Sequence, residues 1–320
     1  VRIIDGSGAP PFAGDVLAFS AADKLKLGGS SAASFDVGTL GGAYQGFGLF
    51  EKVGASAWTL TGATTEVTPW TISGGVLRVS ADDSLGAASG ALTFNGGVLQ
   101  VAGTAFTNTT RTITWGSNGG GFDIADPTNV FTVGQTLAGA GGLTKSSAGE
   151  LILTGDNTYA GATNVNGGVL RINGDQSAAG GLTTVASGAT LGGTGTIGGD
   201  VVIADGGTLA PGNSPGTLTI AGALTLNAAS LLNYEFGQSN VVGGPMNDLT
   251  KVGGDLTLDG TINVALTVGG AFDVGLYRVI SYGGGLVDNG LTVGSTPPLG
   301  GGSIGIQTAI DGQVGGTKAP

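Results

Sequence analysis

The chain has no cysteine and no histidine, and charged side chains make up only 10% of its 320 residues. Without thiols it forms no disulfide. It needs no oxidising compartment yet tolerates one, so the count is compatible with export. Without imidazole there is no histidine base for a serine nucleophile, and transition metals lose their preferred ligands. Lys and Arg number 11 against 22 Asp and Glu, a net charge of −11. Phosphate backbones are bound by clustered cations, so nucleic acid is not an expected partner. Aromatics are 6% of the chain. No apolar run approaches the roughly 18 residues of a spanning helix, so no direct membrane insertion is expected. Val1 opens no signal-like segment either.

What the chain does have is glycine, 67 residues of it, set among Val, Leu and Ile that alternate with Thr and Ala. Glycine and β-branched residues disfavour helix, and no long 3.6-period stripe is present. With 40% hydrophobic residues there is enough apolar surface for an ordered, all-β chain.

The stretch 143–173, LTKSSAGELILTGDNTYAGATNVNGGVLRIN, has an earlier copy 93 residues upstream, without a gap. Between Lys52–Arg78 and Lys145–Arg171, 11 of 27 positions are identical: Lys52/Lys145, Ala55/Ala148, Leu60/Leu153, Thr61/Thr154, Gly62/Gly155, Thr65/Thr158 and the block Gly74–Arg78/Gly167–Arg171. A third partial block, Gly96 to Gln100, follows the first by 22 residues. Farther on, Leu170, Leu191 and Leu209 lie 21 and 18 residues apart, each after a glycine-containing turn. A period near 20 predicts a coil whose turns stack in register, with like residues forming ladders through the core. After about Leu231 the strands carry larger alternating residues. Residues 1–230 are therefore expected to be the repeat coil, 231–310 a C-terminal β module capping it, and 311–320 a tail or linker. A cap covers the unpaired edge of a strand stack, which otherwise invites aggregation.

Several short motifs look chemical. Gly212-Asn213-Ser214-Pro215-Gly216 matches the nucleophile elbow, but no histidine exists to activate Ser214, and Pro215 removes an N–H that would form half the oxyanion hole. Gly193 to Gly198 matches G-x-G-x-x-G, yet a strand follows where a dinucleotide site needs a helix. Gly119 to Asp123 matches the start of a calcium nonapeptide but is not iterated. Asp82-Asp83 reads as a solvated turn. Lys52, Lys145, Arg78 and Arg171 are expected to snorkel or to pair with local carbonyls, and Trp58, opposite Leu151 in the other copy, to lie in the core. No catalytic, cofactor or metal residue is assigned.

Residues 143–173 resemble the passenger-associated repeat of Gram-negative autotransporters. The Leu-Thr-Lys opening, Glu150-Leu151-Ile152-Leu153-Thr154-Gly155, Asn157-Thr158-Tyr159-Ala160-Gly161 and Val165–Leu170 fill its pattern. The rungs Leu191–Ile197 and Gly207–Leu218 are similar to the same family. Copy one departs from the pattern where Glu66–Trp70 replaces Tyr159–Thr163. The resemblance implies a right-handed parallel β-helix (a β-solenoid) with an autochaperone-like cap. It also implies export through a C-terminal β-barrel translocator, with the barrel downstream and a signal peptide upstream. It implies a surface-displayed or secreted passenger acting in adhesion or as a stalk, with host-cell, matrix or self-association partners. The competing expectation is the stalk of a secreted protease or esterase whose catalytic domain lies elsewhere. A third, a polysaccharide-cleaving coil, would need paired carboxylates in a cleft.

Overall fold

The computed structural model describes residues 2–4, 15–309 and 312–319; the turn-rich patch read at Asp5–Pro11 lies outside them. The chain divides into two compact units, Val1–Leu151 with Tyr159–Gly161, and Ile152–Thr158 with Ala162–Pro320. Among the described residues there is no α-helix, only two short 3-10 turns, Val37–Thr39 and Asp82–Leu85. No helix is long and apolar enough to cross a membrane. Each unit is a parallel β-helix.

In the first unit the strands Arg2–Ile4, Lys24–Leu27, Leu49–Lys52, Trp70–Ile72, Leu92–Phe94 and Ile113–Trp115 stack in parallel as one face. A second face stacks Ala33–Asp36, Ala57–Thr61, Val76–Val79, Val98–Val101, Gly120–Ile124 and Leu143–Ser146. Strand residues alternate inward and outward, so every second position of each strand forms a ladder inside. One such column is Leu25, Phe50, Trp70, Leu92 and Ile113. Aromatic rings fill the interior further along: Phe94 packs on both Trp115 and Phe122, with centroids 5.0 Å apart in each case.

The second unit has three faces per turn. The first stacks Thr163–Val165, Thr183–Val185, Val201–Ile203, Leu224–Leu226, Leu256–Leu258 and Leu286–Asp288. The second stacks Gly168–Ile172, Ala189–Gly193, Thr208–Pro211, Leu231–Phe236, Thr261–Leu266 and Thr292–Val293. The third stacks Asp175–Gln176, Thr196–Ile197, Thr217–Ile220, Leu249–Val252 and Gly275–Tyr282. Leu170, Leu191 and Leu209 pair in register as their spacing predicts, and Leu232 and Ile262 continue the column, all fully or almost fully buried. Burying each such side chain stabilises by about 1.5–3 kcal/mol.

Corners are tied to the next turn by short acidic side chains. Asp200 Oδ1 accepts from Ala223 N at 2.8 Å, Asp205 Oδ1 from Ala229 N at 2.9 Å and Asp255 Oδ1 from Gly285 N at 2.7 Å. Backbone N–H groups at corners lack a ladder partner, and these carboxylates supply one.

Parallel stacking runs past Leu231 without a break. The pattern changes after Gly275–Tyr282, which pairs antiparallel with Gln313–Ala319, itself antiparallel to Ser303–Gln307. Residues 313–319, read from sequence as tail, are thus a strand: Val314 alternates into the interior and is fully buried.

Candidate functional site

The two repeated lysines are not on the surface, whereas Arg78 is exposed and Arg171 half-buried. Trp58, Leu77, Leu99, Phe122 and Lys145 form one interior column, and Leu27, Lys52 and Ile72 lie along another. Both lysines are fully buried. Lys52 Nζ donates to the carbonyls of Val53 (2.7 Å), Gly54 (3.2 Å) and Gly74 (3.1 Å). Lys145 Nζ donates to Ser146 O (2.8 Å) and Ser147 O (2.9 Å). Pairing with local carbonyls is the expected arrangement; the interior location is not. Burial lowers both ammonium pKa values, that of Lys145 to about 8. These groups hold corners and offer nothing to a ligand.

Trp58 is buried as expected, with Nε1 donating to Gly28 O at 2.8 Å, and Trp70 and Trp115 are buried too. Asp82 lies in the turn Asp82–Leu85 with its side chain 36% exposed, and it also receives two bonds from buried Arg111, Nε to Oδ1 at 2.9 Å and Nη2 to Oδ2 at 3.0 Å. Gly119–Asp123 is crossed by the strand Gly120–Ile124, and Asp123 accepts from Gln100 Nε2 at 2.8 Å. Gly193–Gly198 forms a corner between Ala189–Gly193 and Thr196–Ile197.

The Gly212–Gly216 turn has the richest surroundings. It lies in the second unit beside a groove of about 450 Å³ lined by Arg171, Ala210, Ser214, Asn233, Glu235, Asp248, Asn263 and Ser295, among others. The groove follows from the outward column of the second face. Arg171 stands level with Gly192, and Gly192 with Ala210. The next rungs carry Asn233 and Asn263, which are level with each other. Two small residues in succession sink the surface between a guanidinium and a pair of amides. Arg171 lies across this floor and donates from Nη1 to Gly212 O at 2.9 Å. Asn263 Nδ2 donates to Asn233 Oδ1 at 3.0 Å, and Ser295 N donates to Asn263 Oδ1 at 3.0 Å.

Ser214 Oγ donates to Glu235 Oε2 at 2.7 Å. Behind them the Asp248 carboxylate, 2% exposed, accepts Gly216 N on Oδ1 and Glu235 N on Oδ2, both at 2.7 Å. One buried carboxylate thereby holds both the turn and the strand that border the groove. Burial pushes the Asp248 pKa up to about 7, against the pull of its two N–H donors. The sequence shows Ser214 in its turn. It does not show Glu235 or Asp248 beside it, because they lie 21 and 32 to 34 residues downstream on turns of unequal length.

The family model of the passenger-associated-transport-repeat matches residues 50–79 and 143–172, the two copies read from the sequence. The chain is 42% identical over 208 residues to the adhesin BmaC autotransporter of Brucella suis biovar 1 (strain 1330), a match covering 64% of this chain and 6% of that protein. It is 38% identical over 99 residues to an extracellular serine protease of Serratia marcescens, covering 31% of this chain and 9% of that protein. The chain spans less than a tenth of the length of these relatives. The two matched repeats and the 42% identity to an autotransporter adhesin support an autotransporter passenger domain.

Proposed function

We propose that this chain acts in adhesion, as a non-enzymatic part of a surface-displayed passenger. The observation that carries the reading is its 42% identity, across 208 residues, to an autotransporter adhesin. The chemistry of the chain supports it. Ser214 hydrogen-bonds to a carboxylate, and the 320 residues contain no histidine that could serve as its base. Host cells, matrix proteins or other copies of the chain are the partners proposed. Residues 231–310, followed by the strand Gln313–Ala319, are proposed to cap the coil; the switch from parallel to antiparallel pairing after Gly275–Tyr282 supports this.

A second reading is the stalk of a secreted enzyme, and the 38% identity to an extracellular serine protease over 99 residues favours it. The test is binding of the purified chain to cultured host cells, immobilised matrix proteins and immobilised copies of itself, with heat-denatured chain as control. Saturable binding by the folded chain alone is expected. Absence of binding to all three surfaces would favour the stalk.

A further inference from the structure

We propose that the groove between Arg171 and Asn263 is a binding site for a neutral oligosaccharide. The inference deepens the adhesion reading and rests on it. Three features of the groove argue for this ligand class. The first is its extent. Arg171, Gly192, Ala210, Asn233 and Asn263 occupy successive rungs, so the floor and its two ends span four rung steps, roughly 19 Å at about 4.8 Å per step. A ligand matching it is linear and built of repeated polar units.

The second is the mixture of donors and acceptors. Arg171 presents a guanidinium, Asn233 an amide, and Ser295 a hydroxyl that donates to Asn263 Oδ1 at 3.1 Å and can still accept. Glu235 presents a carboxylate with one oxygen engaged by Ser214. A hydroxyl group both donates and accepts, so a sugar can satisfy such a surface, whereas a purely cationic or anionic ligand cannot. Both ends are already ordered: Asn263 bridges Asn233 and Ser295, and Arg171 is held on Gly212 O, while Asp248 fixes the Glu235 backbone at the side. Preorganised polar groups cost less to immobilise on binding.

The third is charge. The charged groups facing the groove are Arg171 and Glu235, one of each sign, with the Asp248 carboxyl buried behind them. That balance disfavours sulfated or sialylated chains. Tyr234 is buried with its hydroxyl on Thr250, so no aromatic platform is offered, and recognition rests on hydrogen bonds.

The experiment titrates the full chain with neutral, sulfated and sialylated oligosaccharides on an array and in solution, beside the cell and matrix assay. Ala210→Trp fills the groove floor. Thr225→Trp, on the outward side of the first face, is the control for an added indole. Glu235→Gln and Asn233→Ala remove single polar partners without filling space. Circular dichroism checks folding of each. Neutral glycan binding is expected, abolished by Ala210→Trp, kept by Thr225→Trp, and weakened about tenfold by Glu235→Gln. The proposal is overturned if only acidic glycans bind, or if Ala210→Trp, Glu235→Gln and Asn233→Ala all leave neutral-glycan binding unchanged. Cell or matrix binding without glycan binding would remove the groove and leave adhesion standing. Glycan binding without cell, matrix or self binding would remove adhesion and leave the groove.

Discussion

Lys145 pairs in register with Phe122, occupying the rung where an interior apolar column meets a corner and turning its ammonium onto the carbonyls of Ser146 and Ser147. The same relationship at Lys52 explains why lysine and a double glycine recur together in the repeat. Lys52 Nζ reaches 22 residues ahead to Gly74 O, and a methyl on Gly75 would strike that Nζ. The two motif elements are one structural unit.

Replacing Lys145 by Met keeps the volume and removes the donor. Buried carbonyls lose their partner, and a loss of about 1–3 kcal/mol at pH 7 is expected. The pH dependence tests the cause. The native pKa is about 8 and the ordinary value 10.5, so the unfolded chain holds more protons between these limits. Stability contributed at this site is therefore full above 10.5 and falls as pH drops towards 8. The difference in stability between wild type and variant should slope between about 8 and 10.5 and be flat on either side of that window.

Gly75 has φ +60 and its repeat partner Gly168 φ +61, a left-handed geometry that a side chain resists. Gly75→Ala would also press against the carbonyls of Ser56 and Gly54. Loss of at least 1–2 kcal/mol is expected from strain alone, read as a lowered denaturation midpoint. A neutral result would show that the corner relaxes freely.

Arg111 binds Asp82 and also donates to the carbonyls of Leu85, Ala87 and Gly90. Asp82 is 36% exposed, so water screens the ion pair, and Asp82→Asn should cost about 1 kcal/mol or less. Arg111→Met strips several buried carbonyls at once and should cost about 3 kcal/mol or more. Limited proteolysis should then cut within residues 82–90. Equal costs for the two variants would contradict this division.

Asp248 has a native pKa near 7 against an ordinary 3.8. Between those values the native state keeps the proton that the unfolded chain releases, so stability from this group is full below about 4 and lost as pH rises through 7. Asp248→Asn cannot titrate. The difference in unfolding free energy between wild type and variant should therefore slope from pH 4 to 7 and be flat above. A flat difference throughout would place the Asp248 pKa at its ordinary value.

Much of the coil was legible because its signals are local. Leu170, Leu191 and Leu209 repeat at nearly constant spacing, and glycine marks the corners. Trp58 was placed in the core because Leu151 fills its position in the other copy. Interior lysines were not legible, since a charge in an alternating strand reads as surface unless its corner carbonyls are known. The turn at Asp82 was legible but its ion pair was not, because Arg111 lies 29 residues away in a segment outside the repeat. The groove was hidden for a related reason. Successive turns lengthen from 18 residues between Thr183 and Val201 to 32 between Leu224 and Leu256, so spacing no longer reports which side chains share a rung.

The column from Leu170 to Ile262 behaves as a lattice line. Every turn offers to the one above what it receives from the one below, so the interface between turns is nearly independent of which turns meet. A gene that duplicates or drops a whole turn, such as 183–200, leaves Val165 facing Ile203 much as it faced Val185. Such a molecule can change length by unit increments without designing a new core, while any insertion short of a full turn must be absorbed as a loop, as at 237–248.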